Sequence, residues 1–470
     1  SNEGRAGISF QAQPTWADRF LVEARGVFFD NDQTEQSTNY ASGSFNGSYV
    51  HKFSPSTSAV VQTSYRRGRD RYTSPLENSD VYLTTTDGYL NELTGARYDQ
   101  KESMYESASE NEVQLIDKTG IVTSVLTGRY AYYDLNNYDH STLLNDDLGF
   151  LDDLGVEFSS TGMNNVASGG ADYLATIKAS DSLLLNVGAD YSYVGFAAAQ
   201  EAPFLNDNNH NSRLTPKAGV IYRPSNRAMA RVGYGQYMGR SAFSSLASVE
   251  PTLVGGINQV YQDGNPGVIA QNFGTGLDVQ PFDSTYMGAE WTRRWLEDPI
   301  NEAVYAADYD PYTDVITTDV LYNDRYNVGV MQDFVSAYVY HIINDQFVIG
   351  NDYKYGRNDA GSPNDFFLEN HRDRAFGRYF FTNMFFLQSG ATYLYQDRNG
   401  YEAVGVPNGS DSGWMFDAAI GYRLPTRHGY ITAGVNNIFG HDFVLEQGVF
   451  NERSIVVNDP MVELAAKFNF

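Results

Sequence analysis

Along Trp414-Met415-Phe416-Asp417-Ala418-Ala419-Ile420-Gly421-Tyr422-Arg423-Leu424, every second residue is apolar or aromatic. Trp414, Phe416, Ala418, Ile420, Tyr422 and Leu424 fall on one side. Asp417, Gly421 and Arg423, with Met415 and Ala419, fall on the other. Successive side chains of a strand point to opposite faces, whereas a helix repeats every 3.6 residues, so a period of two held this long specifies a strand. The same reading applies to Ser182–Tyr193, where Leu183, Leu185, Val187, Ala189, Tyr191 and Tyr193 oppose Asn186, Gly188, Asp190 and Ser192. In Arg213–Arg223, Leu214, Pro216, Ala218, Val220 and Tyr222 oppose Thr215, Lys217, Gly219 and Arg223. At the chain end Val462, Leu464, Ala466, Phe468 and Phe470 oppose Glu463, Lys467 and Asn469.

Alternation also marks soluble β-sandwiches and propellers. Here the runs are about 10 residues long, the length a tilted strand needs to cross a bilayer. The polar face carries full charges while the apolar face is unbroken, and aromatics gather near segment ends, as in Tyr393 and Tyr395, where interfacial girdles sit. Composition agrees. Of 470 residues 42 % are hydrophobic, 14 % aromatic and only 19 % charged, below the roughly 25 % charged of soluble domains. No window of about 18 apolar residues exists, so the sequence predicts no transmembrane helix. The expected fold is an all-β, antiparallel, up-and-down transmembrane barrel of about 20 strands, one domain over residues 1–470, in a Gram-negative outer membrane.

Turn chemistry divides the chain into pairs. Tight connections are predicted at residues 16–18, 54–57, 118–120, 179–181, 224–226, 281–283, 343–345, 382–383 and 425–429. Longer polar stretches (Asp70–Ser109, Asp134–Val166, Arg240–Ile269, Glu297–Asp324) separate the pairs, giving short periplasmic turns and long extracellular loops. The count is nine pairs and one last strand, 19 in all, against the even number usual in bacterial single-chain barrels. Two expectations follow: a strand and further module upstream of Ser1, or a miscounted strand near Asn327–Tyr340.

The polar face is expected to line the lumen. It holds Arg25, Arg66, Arg129, Lys178, Lys217, Arg223, Arg231, Arg294, Arg374, Arg378, Arg423 and Lys467, together with Glu23, Glu112, Asp172, Asp190, Asp278, Glu290, Asp352, Asp417 and Glu463. Mixed signs suit pairing across strands. Acidic residues outnumber basic ones 58 to 32, a net charge of −26, which excludes a nucleic-acid partner because phosphate binding needs a basic footprint. The loops Asp134–Val166 and Glu297–Asp324 are acidic and contain no Lys or Arg. Oxygen ligands could hold divalent cations there, but no spacing matches a calcium loop and a solvated surface is the plainer reading. Cysteine is absent, and the seven His residues show no metal-ligand spacing; His140 beside Asp139 and His441 beside Asp442 are only sequence neighbours. No enzyme and no cofactor are expected.

Phe416–Phe443, FDAAIGYRLPTRHGYITAGVNNIFGHDF, resembles the penultimate hairpin of TonB-dependent receptor barrels, with Val435, Asn436, Asn437, Ile438, Phe439 and Gly440 in the place of that family's V-x-N-L-F-D-like element. Phe468 and the terminal Phe470 resemble the C-terminal signal read by the outer-membrane assembly machinery. Val249–Asp263 (VEPTLVGGINQVYQD), Gly274–Asp278 and Gly288–Arg294 are similar to receptor-like barrels fused behind tetratricopeptide repeats. The resemblance covers the C-terminal half, and neither a plug with its TonB-contacting segment nor helical repeats are visible. It implies a transport conduit for a solute or polymer. The alternative is a structural sleeve or anchor for a secreted polymer, filament or cytochrome threaded through the barrel. Expected partners are the lipid bilayer with its lipopolysaccharide, the assembly machinery, and a periplasmic or threaded protein.

Overall fold

The computed structural model describes residues 2–32, 37–85, 90–145, 157–198, 209–239, 253–259, 267–310, 315–360, 367–382, 384–399, 408–425, 429–440 and 460–468. The described chain is strand throughout, apart from its turns. The first ten strands are β1 (Asn2–Ala12), β2 (Asp18–Asp32), β3 (Ser37–Lys52), β4 (Thr57–Thr85), β5 (Leu90–Thr119), β6 (Val122–Asn145), β7 (Glu157–Lys178), β8 (Leu183–Ala198), β9 (Asn209–Ser225) and β10 (Ala228–Met238). Two short strands, β11 (Leu253–Val254) and β12 (Ile257–Asn258), form a hairpin of their own. The wall resumes with β13 (Ile269–Phe282), β14 (Thr285–Asp310), β15 (Val315–Asn344), β16 (Phe347–Ala360), β17 (Phe367–Phe380), β18 (Phe385–Asn399), β19 (Gly409–Arg423), β20 (Gly429–Asn436) and β21 (Met461–Phe468).

Each wall strand pairs antiparallel with the next in sequence, β10 continuing to β13, so that 19 strands form one up-and-down sheet. Such a ladder satisfies backbone N–H and C=O groups between neighbours, the condition for crossing hydrocarbon. All nine predicted tight connections fall between paired strands. β15 is undivided from Val315 to Asn344, pairing with β14 from Val315 to His341 and with β16 from Val330 to Asn344, which removes the miscounted strand near Asn327–Tyr340.

Polarity across the sheet is inverted relative to a soluble protein. Val187 is 56 %, Leu214 68 % and Leu464 78 % exposed, while Asp172, Asp190 and Lys217 on the other face are fully buried. In water such a belt would forfeit about 25 cal/mol for each Å² of apolar surface; against acyl chains it forfeits none. Aromatic contacts bracket the belt. Phe20–Tyr49 (4.7 Å) and Phe385–Tyr422 (4.9 Å) lie near the tight turns, and Tyr393–Trp414 (5.2 Å) near the far rim.

One expectation needs correction. The long polar stretches are mostly not loops: β4 and β5 stay paired out to Thr84 and Leu90, β6 and β7 to Thr142 and Glu157, and β14 and β15 to Asp310 and Val315. Above the bilayer both faces meet water, so the apolar period disappears while the backbone ladder continues. The tall β4 and β14 ends meet, pairing parallel at Asp308–Thr84 and Tyr309–Thr85. Strands far apart in sheet order thus touch at the extracellular end.

Candidate functional site

The inner face is the candidate site, and its organising feature lies between β10 and β13. Gly255 at φ +60° and Gly256 at φ +75° turn the chain between β11 and β12, a left-handed backbone that side chains disfavour. The hairpin lies against the inward residues of β9, β10 and β13. A Cβ on Gly219 would overlap the Gly255 backbone, one on Gly233 the Val254 carbonyl, and one on Gly274 would come within 2.5 Å of Ile257. Without side chains at these wall positions the hairpin backbone rests directly on the sheet. Val254, Ile257 and Gln259 are fully buried there. Two hydrogen bonds pin the tip: the Gly255 N–H donates to Asn186 Oδ1 (2.8 Å), and Arg231 Nη1 donates to the Gly256 carbonyl (3.0 Å). Beside the hairpin the β10–β13 ladder runs on past both strands, Gly239 N–H donating to Val268 O (2.6 Å) and Gly267 N–H to Gly239 O (2.7 Å).

Around the hairpin the charged residues sit in cross-strand pairs. Lys217 on β9 bridges to Asp172 on β7, both side chains fully buried, with the ammonium 4.9 Å from the Tyr237 ring. Arg129 on β6 bridges to Asp190 on β8, and Ser192 Oγ donates to that carboxylate (2.5 Å). Arg231 reaches Asp278 (2.9 Å) and Glu290 (3.1 Å), and Tyr338 donates to Asp278 (2.9 Å). Arg294 donates to Asn272 (3.1 Å) and Gln332 (3.3 Å).

Away from the hairpin the same face is more open. Arg66 bridges to Glu106 (2.8 Å) and donates to Tyr40. Arg374 meets Asp417 at 2.9 Å, both partly exposed, and Arg378 donates to Gln388 (Nε, 3.0 Å). Arg25 meets Glu23 at 3.2 Å with its side chain 62 % exposed. Lys178 sits at the turn rim, 2.7 Å from Asp181, whose carboxyl it holds below the usual range. Arg223 and Arg423 are exposed near the turns with no carboxylate partner among the described residues, Arg423 lying 4.8 Å from the Phe380 ring. Lys467 pairs in register with Tyr430 and Phe468 with Gly429, while Phe470 lies outside the described residues.

By strand parity the charged positions placed above lie opposite the apolar belt, and most of them are paired in twos and threes. The hairpin was not foreseen. Its signal was present in the glycines at inward positions 219, 233, 235, 274 and 276, facing a V-G-G turn in Arg240–Ile269. Of the receptor-like motif, Asn437 adopts φ +50°, Ile438 N–H donates to Phe416 O (2.9 Å), and Phe439 packs edge-on against Phe416 at 5.3 Å. Among the described residues no group of three or more His, Asp or Glu is placed to hold a metal. Asp146, Asp147, Asp152, Asp153 and His441 lie outside the described residues.

No family model matches the sequence, and no curated protein does. Solved structures do. The ferric-catecholate import receptor Fiu of E. coli K12, in its closed form, is 13 % identical, aligns with 94 % of this chain and 71 % of its own, and superposes with a TM-score of 0.59. The ferric preacinetobactin receptor BauA of Acinetobacter baumannii is 11 % identical over 100 % of this chain and 72 % of its own, TM-score 0.59. The ferric citrate transporter FecA, unliganded, is 9 % identical over 94 % and 66 %, TM-score 0.60. At these identities the likeness establishes the fold alone: this chain shares the barrel fold of these receptors and transporters.

Proposed function

We propose that the chain is a transport barrel of the outer membrane, carrying a solute through a lumen narrowed by the β11–β12 hairpin. The observation that supports this most is the hairpin seated on bare wall glycines above a polar, ion-paired inner face. A wall near 20 strands in circumference leaves an interior wider than its own side chains fill, and an inward-folded segment sets what size passes. Inner charges that neutralise one another leave a wet surface without a strong field of one sign. The inner-face residues named above take the role of path lining, and Arg223 and Arg423 are its free cations among the described residues.

The neighbours include receptors and transporters for ferric siderophores and copper. A metal ion or its chelate is therefore the first cargo class to try. The threaded sleeve gains no support from these neighbours, which are receptors and transporters. The antiparallel order leaves β1 and β21 running the same way at the two edges of the sheet. A further strand between them, with an upstream module, belongs to this proposal, and the intact mass of the polypeptide from native membranes tests it.

The function itself is tested by swelling of liposomes containing the purified barrel, with sugars of increasing size. Wild-type barrel should admit small sugars with a sharp size limit, and a Gly233→Val variant, whose side chain displaces the hairpin, should admit larger ones. No permeability in either protein contradicts a conduit.

A further inference from the structure

Tyr65-Arg66-Arg67-Gly68-Arg69-Asp70-Arg71 on β4 is a basic run in an acidic chain. Alternation splits it. Gln62 and Ser64 are buried on the inner face and Tyr65 is 47 % exposed on the outer one. Arg66 points inward to Glu106. Arg67, Arg69 and Arg71 therefore share the outward face with Val61 and Tyr65. Three cations in a row on the lipid-facing side are unexpected in a wall whose other cations mostly point inward.

Their height is set by the strand. Arg67 is ten residues beyond Thr57, where β4 leaves its tight turn. At about 3.3 Å per residue and a tilt of about 40°, that is about 25 Å, the height of the apolar band of an outer-membrane barrel. The three guanidinium groups thus begin where hydrocarbon gives way to outer-leaflet headgroups. Among the described residues none of the three has a carboxylate partner. The outward carboxylate of Asp134, two strands from Arg67 in register, accepts from Asn136 (3.1 Å). Arg69 lies 5.2 Å from the Tyr105 ring, and its Nε is buried without a hydrogen-bond partner. The register neighbours Ala41, Gly43, Ser103 and Ser107 are small, leaving the row open to approach. By contrast Arg293, another outward arginine, is satisfied by a bidentate pair with Asp333 (2.8 Å and 2.8 Å) and by Trp291 beneath it.

We propose that Arg67, Arg69 and Arg71 form a docking row for the phosphorylated headgroup of an outer-leaflet lipid, whose acyl chains run down Tyr65, Val61, Phe45 and Val113. Guanidinium groups bind phosphate through paired N–H donors and are weakly hydrated, which suits them to a site at the edge of hydrocarbon. The proposal rests on the membrane reading above, but its test is separate from conduction.

The experiment is native mass spectrometry of the detergent-purified barrel with hexa-acylated diphosphoryl lipid A as probe. Wild-type protein should retain a lipid A adduct. An Arg67→Gln/Arg69→Gln/Arg71→Gln variant should lose it at least tenfold, whereas Arg223→Gln/Arg423→Gln, also losing cations but at the opposite end, should keep it. Heat-modifiable mobility of the unboiled protein verifies that each variant is folded, and Arg69→Gln alone, with a several-fold loss, serves if the triple variant fails. Equal retention by wild type and the row variants overturns the proposal. So does displacement of the adduct by millimolar inorganic phosphate, which would mark a site for free anion. Conductance unaltered by the triple substitution leaves the conduit reading standing whichever way the lipid result falls.

Discussion

Lys217–Asp172 and Arg25–Glu23 are the same chemistry in two regions of one wall. The first pair lies beside the β11–β12 hairpin with both side chains out of reach of water; in the second, Arg25 is largely in it. The difference comes from what covers the sheet. On β7–β10 and β13 the inward glycines admit a second layer of chain, and that layer dries the neighbouring charges. On β1–β3 and β16–β19 the described residues include no such layer, and pairs such as Arg25–Glu23 and Arg374–Asp417 stay partly exposed. A buried pair is costly to break because the survivor is left uncompensated, whereas an exposed pair contributes little. The barrel therefore has a consolidated side and an open side.

The largest effect follows from this asymmetry. Lys217→Met should destabilise the barrel by about 3–5 kcal/mol by stranding Asp172, against about 0–1 kcal/mol for Arg25→Met, read as urea midpoints of the detergent-folded protein. Equal shifts would erase the distinction between the two sides. Next comes Gly233→Val, where the added side chain meets the Val254 carbonyl. Overpacking of this kind costs about 1–3 kcal/mol, and protease cutting within 240–266 should accelerate as the hairpin leaves its seat. An unchanged cleavage rate would mean that the glycine seat does not hold it.

A smaller effect is expected on the open side. Arg223→Glu with Arg423→Glu should move the reversal potential toward cations while stability changes by no more than about 0.5 kcal/mol. A potential that does not move would remove both residues from the path. Arg231 is a poor choice for that experiment, since it holds two carboxylates and the hairpin tip together.

The smallest effect concerns the turn-side rim. The Asp18 carboxyl is lowered to about 2, first by the Thr15 hydroxyl, then by His51 and Tyr49, all donating to it. A depressed carboxyl stabilises above its ordinary pKa near 4 and loses that contribution as pH falls through 2, so this rim should loosen only between those values. Thr15→Ala should raise the midpoint of the Asp18 carbon resonance in an NMR titration. A midpoint that stays near 2 would assign the shift to His51 and Tyr49 alone.

Much of the wall was legible because a bilayer enforces period two wherever a strand crosses it. Trp414–Leu424 and Ser182–Tyr193 reveal their facing residue by residue, and Pro, Gly, Asn, Asp and Ser mark the tight turns. Beyond the bilayer the rule lapses. Asp70–Ser109 reads as loop because both faces are wet, yet its backbone stays paired. The pairing of inner charges was legible only as mixed sign, since partners such as Arg129 and Asp190 are two strands apart and become neighbours through register. The hairpin was hidden for a different reason. Its seat is made of missing side chains on three strands, and single inward glycines look like ordinary strand residues until the sheet aligns them.

The central claim is that the β11–β12 hairpin narrows the path, and single-channel conductance of the barrel in a planar bilayer tests it most directly. Removing residues 253–258 should raise conductance at least twofold over wild type, with the wall intact by heat-modifiable mobility. Conductance unchanged by that deletion would contradict the account.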